Sequence, residues 1–214
     1  MRFDEVVERL AAFPDPLPAP ASVLMPVMIG ADGSDGRPPR ISPAGSPGRP
    51  AGVLVLLYPD DVGFARVVLT ERAARDGHHS GEVSFPGGMA EPDDADIVAT
   101  ALREAEEEVT LDAVGAGVRV VGLLEPFRIP VSDFQVTPVV AVAARRPILV
   151  ASEAEVARIL EPQVAHFLPD SPITVVERTI DGRPLRYGSY AVDGLSIWGA
   201  TARILSQLGA VLAR

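Results

Sequence analysis

The chain has 214 residues, 47% of them hydrophobic, which fits one domain or a domain with an extension, built around a substantial core. It has no cysteines, which excludes disulfides, thiolate zinc sites and cysteine nucleophiles. The formal net charge of −10 argues against non-specific binding to nucleic acid or acidic membranes, so a polyanionic substrate would need a local cation cluster or a bound metal.

The first elements predicted in chain order are an amphipathic helix over residues 2–12, ended by prolines, and a short apolar run over 21–29 that could be a strand. The acidic N-terminus has no continuous apolar core, and no run approaches the roughly 20 apolar residues of a spanning helix. We therefore expect a cytoplasmic protein without a signal peptide or membrane association. Residues 30–50 are rich in Gly, Pro and Ser, typical of a flexible loop. We divide the chain into a helix and Gly/Pro-rich extension over 1–50 and a domain over 51–214.

Within that domain, apolar runs predict strands at 53–58 and 65–70 around a turn, a helix at 97–109, and buried strands at 118–124 and 136–143. Further along, the pattern predicts a strand or helical turn at 156–160, a helical turn at 163–168, a hairpin of 175–180 with 185–191, and a closing amphipathic helix at 197–212. Strands and helices are mixed without regular βαβ alternation. The pattern therefore predicts an α+β fold in which helices pack on a mixed sheet.

The helix at 97–109 carries a run of acidic residues. Glu104, Glu107 and Glu108 are related by i, i+3 and i+4, so their carboxylates project from one face and repel one another, whereas Glu106 points sideways. A solvated acidic face is the common explanation of such a run. Hard oxygen ligands grouped in this way are, however, what Mg²⁺ or Mn²⁺ needs, and a cation would remove the repulsion.

The loop before this helix favours the metal-site interpretation. Gly87 and Gly88 follow a proline, where the backbone can approach a ligand closely and a glycine carbonyl could serve as an additional metal ligand. Alone, Pro-Gly-Gly is an ordinary turn. Because Gly88 precedes Arg103 by fifteen residues, the loop and the glutamates together indicate a divalent-metal site.

The segment from Gly87 to Leu111 resembles a Nudix box, G-x5-E-x7-R-E-U-x-E-E-x-G-U with U an aliphatic residue. The matching positions are Gly88, Arg103, Glu104, Ala105, Glu107, Glu108 and Leu111. Asp94 takes the place of the first glutamate, and one extra residue lies between it and Arg103. Thr110 replaces the final glycine, at a helix end where a left-handed conformation would favour Gly.

The extra residue and an upstream motif resemble the coenzyme A pyrophosphatase branch of this superfamily. Its pattern LLTxR…HxGQVSFPGG is similar to residues 69–72 and 79–88, although Glu82 stands for the usual Gln and Asp76 for an apolar residue. Residues 198–202 also resemble the branch; we predict that Trp198 packs in the core rather than stacking on adenine.

The resemblance implies a Nudix fold, an α-β-α sandwich with a mixed sheet between helices. It implies that Mg²⁺ or Mn²⁺ is held by Glu104, Glu107, Glu108 and the Gly87 carbonyl, with Arg103 holding a carboxylate in place and Asp94 as its candidate partner. Substrate contacts would come from Arg72, His79, Phe85 and Gly88. The general base stays open between Glu107, Glu108 and a group elsewhere.

The implied reaction is hydrolysis of coenzyme A, or acyl-CoA, to 4′-phosphopantetheine and adenosine 3′,5′-bisphosphate. The alternatives are a Nudix hydrolase of another nucleoside diphosphate derivative, such as ADP-ribose, a dinucleotide or an oxidised nucleotide, and a non-catalytic nucleotide-binding module. The expected partner is thus a small nucleotide diphosphate, with no nucleic acid and no membrane, bound by a monomer or a homodimer.

Overall fold

The computed structural model describes residues 1–30, 48–73, 82–129, 132–180 and 182–214. Most of the predicted loop at 30–50 lies outside the described residues, and the division of the chain at residue 50 stays a prediction. In the described part, none of the helices is long and apolar enough to cross a membrane.

Three α-helices and a set of mostly short strands form the described structure. The helices are α1 (Phe3–Leu10), α2 (Ile97–Val109) and α3 (Gly199–Leu212), with 3₁₀ turns at Ser22–Leu24 and Val164–Phe167. The strands are β1 (Val27–Met28), β2 (Arg49–Pro59), β3 (Ala65–Val67), β4 (Leu69–Arg72), β5 (Val83–Ser84), β6 (Gly87–Met89), β7 (Arg119–Leu123), β8 (Phe127–Ile129), β9 (Phe134–Val142), β10 (Val156–Leu160), β11 (Thr174–Ile180), β12 (Arg183–Val192) and β13 (Leu195–Ile197).

The central sheet has the order β3-β2-β9-β7, with β6 also paired to β2 and β8 to β9. Strands β2 and β9 run parallel, and the remaining pairs are antiparallel. Alternate residues of a strand point to opposite faces, so a strand covered on both sides reads as a continuous apolar run. Leu54 and Leu56 of β2 pack with α2, whereas Val55 and Leu57 pack in the core that contains α1 and α3. This arrangement confirms the predicted mixed sheet between helices.

Two smaller sheets flank the central one. Strands β10, β4 and β5 form one, and β1, β12, β11 and β13 form the other. In the first, β4 pairs with β5 through Thr70↔Ser84 and Glu71↔Val83. Because β5 leads directly into Gly87, this pairing brings the residues around Arg72 beside the start of the predicted metal-binding segment.

The structure confirms the helix predicted at 97–109, which is α2, as well as the hairpin of β11 with β12 and the helical turn near residue 164. The run at 65–70 divides at Val68, because β3 pairs with β2 while β4 pairs with β10 and β5. The strand predicted at 118–124 is confirmed as β7, but its predicted burial is wrong: β7 lies at an end of the central sheet's order, and Leu123 is 41% exposed. An apolar run alone does not distinguish an edge strand from a central one. The closing helix begins at Gly199, since Leu195–Ile197 pairs with β12.

Gly52 allows α2 to lie directly on the sheet. A Cβ atom at this position would stand 2.7 Å from the Ile97 carbonyl oxygen and 3.2 Å from the Ala101 nitrogen, both of them backbone atoms of α2. The first turns of the helix could not retain their place above β2 with any larger residue there. Gly52 is thus a packing requirement of the helix that carries the glutamates.

We expect Gly52→Ala to destabilise the fold by about 2–3 kcal/mol, because the added methyl must move helix backbone rather than a flexible side chain. A matched control is Gly194→Ala: Gly194 has open space around its would-be Cβ but a φ of +80°, so the methyl costs only backbone strain of about 1 kcal/mol. Urea denaturation of both variants measures the difference. Equal stability of the two variants would contradict the packing role of Gly52.

Candidate active site

The segment before α2 is organised around Asp94. Its Oδ2 accepts hydrogen bonds from the Glu91 N–H and the Thr100 hydroxyl, each at 2.9 Å. Asp96 caps the helix by accepting a 2.9 Å bond from the Ala99 N–H. Asp96 therefore satisfies one of the N–H groups at the start of the helix that lack an intrahelical partner, whereas Asp94 joins the preceding turn to the Thr100 side chain.

Arg103 joins this segment to the glutamate face. Its Nε and Nη2 donate to the two oxygens of Asp94 at 3.0 and 3.2 Å, and Nη2 also donates to the Met89 carbonyl at 3.1 Å. Its Nη1 lies 3.1 Å from Oε1 of Glu104 and 3.1 Å from Oε2 of Glu107. The predicted pairing of Arg103 with Asp94 is confirmed, with the bidentate geometry that makes such pairs strong. The Arg103 hydrogen bond is the main reason that the pKa of Asp94 lies well below its usual range.

The three glutamates differ sharply in burial, although they share one helix face. Glu108 is 5% exposed, whereas the side chains of Glu104 and Glu107 are 15% and 58% exposed. Glu106 is exposed, as predicted. The box glutamates are therefore not equivalent: Glu104 and Glu108 are largely enclosed, and Glu107 lies in solvent.

Glu108 is the buried carboxylate of the site. Burial is the main cause that raises its pKa to about 7. The Arg72 guanidinium and a hydrogen bond from the Gly87 N–H lower the pKa, while the charges of Glu104 and Glu155 raise it. Its Oε2 is buried and has no hydrogen-bond partner among the described residues. A buried polar atom without a hydrogen-bond partner destabilises the folded state, and a bound cation or donor would remove that cost.

Gly87 and Gly88 fit the backbone against this carboxylate group. A Cβ on Gly88 would stand 2.5 Å from Oε1 of Glu104, and a Cβ on Gly87, whose φ is +156°, would stand 2.4 Å from the Gly52 carbonyl oxygen. Burial also raises the pKa of Glu104, an effect that the neighbouring Arg103 opposes. Gly87 is thus required by the closeness of β6 to the backbone of β2, whereas Gly88 leaves space for the Glu104 carboxylate in its present position.

The donor set fits a hard divalent cation. Glu104 and Glu108 offer carboxylate oxygens, and the unpartnered Oε2 of Glu108 is the kind of atom that a cation would satisfy. Glu107 is instead exposed and paired with Arg103. Within the described ranges, no three His, Asp or Glu side chains are spaced to hold a metal as they stand. A cation would therefore have to draw the carboxylates closer together.

The remaining residues singled out in the sequence differ in burial and in their distance from the glutamates. Arg72 is exposed at the end of β4, close enough to Glu108 to lower its pKa. Phe85 is 2% exposed and lies in the larger core, so we assign it to packing rather than to substrate contact. His79 lies outside the described residues, as does Asp76. Trp198 is half-buried, and its ring stacks on buried Tyr187 with centroids 4.6 Å apart.

The end of α2 matches the position of the box glycine. Thr110 has φ 55° and ψ 38°, the left-handed conformation predicted there, and its hydroxyl donates to the Val150 carbonyl at 3.0 Å. Two residues near the site were not predicted from the sequence. Gly52 lies in an apolar run outside the motifs, and Glu155, whose charge acts on both Glu104 and Glu108, also lies outside them.

Comparisons with known proteins agree on one family. The family model for the NUDIX domain matches residues 48–167. The chain is 39% identical over 142 residues to an uncharacterized Nudix hydrolase NudL of Photorhabdus laumondii, a match covering 66% of this chain and 74% of that protein. It is 38% identical over 167 residues to Nudix hydrolase 15, mitochondrial, of Arabidopsis thaliana, covering 75% of this chain and 58% of that protein.

The chain therefore spans little more than half the length of this plant relative. A crystal structure of a Nudix hydrolase from M. Smegmatis, RenU, superposes with a TM-score of 0.47 and 22% identity, covering 65% of this chain and 80% of that one.

The raised pKa of Glu108 predicts how metal-free stability depends on pH. The native state holds a proton on this carboxyl up to about pH 7, whereas an unfolded glutamate releases it near 4.3. Between these values the native state binds more protons, so the free energy of unfolding falls as pH rises, by up to about 3 kcal/mol. Urea denaturation in EDTA from pH 4.5 to 8 measures the slope.

Glu108→Gln should remove the larger part of this pH dependence, because the amide does not titrate. Glu106→Gln is the matched control, since Glu106 is exposed on the same helix, and it should retain the wild-type slope. The same slope in all three proteins would show that Glu108 does not titrate in this range.

Proposed function

Because the chain belongs to the Nudix hydrolase family, we propose that it is a divalent-metal-dependent pyrophosphohydrolase of coenzyme A or acyl-CoA. The chain is a hydrolase, and its family supports nucleoside diphosphate derivatives as the substrate class. The proposed products are 4′-phosphopantetheine and adenosine 3′,5′-bisphosphate. The observation that carries the metal-dependent hydrolysis is the buried Glu108 carboxylate, with one unpartnered oxygen, beside Glu104.

In this proposal Glu104 and Glu108 hold Mg²⁺ or Mn²⁺, with the Gly87 carbonyl as an additional ligand. A bound cation supplies charge neutralisation for the diphosphate and lowers the pKa of an attacking water. Arg72, exposed beside Glu108, offers a guanidinium to a phosphate oxygen. Local cations of this kind allow a protein with a net charge of −10 to accept a polyanion.

Arg103 has a positioning role. By pairing with Asp94 and the Met89 carbonyl, it is anchored to the segment before α2, and from there it contacts Glu104 and Glu107. Glu107 is thereby held at the surface, next to the proposed ligands. The residue that accepts the proton from water stays open in this proposal.

The substrate part of the proposal is supported by the way β4 and β5 connect the two motifs. The upstream motif begins in β4, which ends at Arg72, and continues through β5 into Gly87. Arg72 and Gly87, near the two ends of the upstream motif, thus both act on Glu108, which belongs to the box. The box itself acts on a diphosphate and does not distinguish coenzyme A from ADP-ribose, a dinucleotide or an oxidised nucleotide.

A substrate panel tests this assignment. With Mg²⁺ or Mn²⁺, HPLC should show coenzyme A converted to 4′-phosphopantetheine and adenosine 3′,5′-bisphosphate faster than ADP-ribose, NADH or nucleoside triphosphates are cleaved. Cleavage of another member of the panel without turnover of coenzyme A or acyl-CoA would overturn the substrate. Nucleotide binding by calorimetry with no metal-dependent turnover at all would favour a non-catalytic module.

Glu108→Gln should lower kcat for the preferred substrate by at least about a hundredfold, since even residues that only support metal ligands typically contribute 10- to 100-fold. Circular dichroism should show an intact fold, because the amide has nearly the same shape as the carboxyl. Glu106→Gln, on the same helix, should retain wild-type activity. Wild-type kcat in Glu108→Gln would refute the role of Glu108 in the metal site.

A further inference from the structure

Two buried side-chain atoms lack a hydrogen-bond partner in the part of the chain that the structure describes, and they belong to side chains of opposite charge. One is Oε2 of Glu108, which a bound cation would satisfy. The other is Nε of Arg203, which lies in α3 and is not explained by a cation. A buried donor without an acceptor destabilises the folded state, as does a buried acceptor without a donor. Arg203 therefore needs an explanation of its own.

The surroundings of Arg203 offer its guanidinium only weak partners. Nη1 donates to Sδ of Met25 at 3.4 Å, and sulfur is a weak acceptor. The guanidinium carbon lies 4.6 Å from the centroid of the Phe127 ring. Nη2 is 3.8 Å from Oε2 of Glu125, beyond hydrogen-bond distance, and the Glu125 side chain is 58% exposed.

The burial of Arg203 makes this set of partners unusual. Its side chain is 20% exposed. Burial lowers the pKa of Arg203, an effect that the charge of Glu125 only opposes. A largely buried arginine is normally paired with a carboxylate or hydrogen-bonded to oxygen atoms, because the charge is costly to remove from water. An anionic ligand would supply the oxygen acceptors that are missing here.

The helix that carries Arg203 is attached to the segment that leads into the active site. The Thr201 hydroxyl donates to the carbonyl oxygen of Val83 at 2.8 Å, in a buried hydrogen bond. Val83 belongs to β5, and Gly87, whose N–H donates to Glu108, follows four residues later. The first turn of α3 is therefore fixed next to the strand that precedes the box.

The aromatic ring beneath Arg203 shares a row of the central sheet with the box segment. Phe127 of β8 is opposite Val136, Val136 is opposite Ala51, and Ala51 is opposite Met89 of the box segment. Three interstrand spacings, about 14 Å, separate the two ends of this row. Met89 is 44% exposed at one end, and Arg203 stands over the other. An extended nucleotide bound at the box can span this distance along the sheet.

We propose that Arg203 binds a phosphomonoester group of the substrate, which in coenzyme A is the 3′-phosphate of the adenosine, apart from the diphosphate at the metal. This inference rests on the proposed function for the identity of the substrate, and it adds a specificity-determining residue outside the motifs. The planar guanidinium presents paired N–H donors that match phosphate oxygens, and the phosphate charge compensates the buried cation. ADP-ribose and NADH have no phosphomonoester, so Arg203 favours coenzyme A over both.

Kinetics with coenzyme A and with dephospho-coenzyme A, which lacks the 3′-phosphate, test the proposal on the full chain with Mg²⁺. Arg203→Met should lower kcat/KM for coenzyme A about tenfold to a hundredfold, mainly through KM, because hydrogen bonds to a charged group are lost. Its kcat/KM for dephospho-coenzyme A should equal that of the wild type. Arg203→Lys, which retains the charge, should recover part of the loss.

Arg178→Met is the matched control for these variants. Arg178 is exposed in β11, on another sheet, so its substitution removes one positive charge away from the proposed subsite. The kinetics of both substrates should stay at the wild-type values. An equal loss of coenzyme A turnover in Arg178→Met and Arg203→Met would indicate an effect of net charge and would overturn the inference.

A binding measurement needs neither turnover nor metal. In EDTA, calorimetry should show that the wild-type protein binds adenosine 3′,5′-bisphosphate about tenfold to a hundredfold more tightly than adenosine 5′-monophosphate. Arg203→Met should bind the two nucleotides with equal affinity. Wild-type discrimination in Arg203→Met would overturn the subsite.

The Tm without ligand distinguishes a binding role from a structural one. Arg203→Met should have a Tm equal to or above that of the wild type, because the variant removes a buried donor that has no acceptor. A lower Tm, with coenzyme A and dephospho-coenzyme A turnover reduced equally, would show that Arg203 only supports the fold.

The outcomes separate this inference from the proposed function. Equal kcat/KM of the wild type for coenzyme A and dephospho-coenzyme A would overturn the role of Arg203 and leave the hydrolase assignment intact. Failure of the wild-type protein to cleave either compound would overturn the proposed substrate, and the calorimetric comparison would then decide on Arg203 independently.

Discussion

The burial of one carboxylate, Glu108, is the constraint on which the rest of the site depends. A helix face with several glutamates would ordinarily lie in water, but here α2 packs so closely on β2 that one of them is enclosed. The close approach requires Gly52 beneath the helix, and Gly88 leaves space beside it for the Glu104 carboxylate. Arg72 and the Gly87 N–H stabilise the charged form of Glu108 and lower its pKa, against the effect of burial. This is a local conflict of the kind that functional sites retain, because a bound cation resolves it.

The same packing explains how much of the site could be predicted from the sequence. Helix α2 was predictable because its apolar period is regular, and the pairing of Arg103 with Asp94 followed from the box spacing. The different environments of the glutamates were not predictable, since i, i+3 and i+4 spacing places them on one face but does not say which end of that face meets the sheet. Glu155 was beyond reach for another reason: only tertiary bonds, from Ser152 to Glu108 and from Ala73 to Glu155, bring its turn to the helix.

The mixed arrangement of strands and helices was predictable from composition and periodicity. The burial of individual strands and side chains was not, because it depends on which elements pack against them. The apolar run at 53–58 predicted a strand, and in the structure α2 covers β2 on one face while α1 and α3 cover the other. The similar run at β7 lies at an end of the sheet order, so one edge of this strand pairs with no other strand of the described sheet. Phe85 is a second example: its place in the motif predicted a substrate contact, but its side chain is buried in the core.

The location of a metal is the most direct test of this account. A crystal grown or soaked with Mn²⁺ and measured at an anomalous wavelength would show where the cation binds, independently of any substrate. The account predicts an anomalous peak bonded to carboxylate oxygens of both Glu104 and Glu108, with the Oε2 atom of Glu108 as a ligand. A peak that lies only on exposed Glu107, or no peak near α2 at a saturating Mn²⁺ concentration, would contradict it.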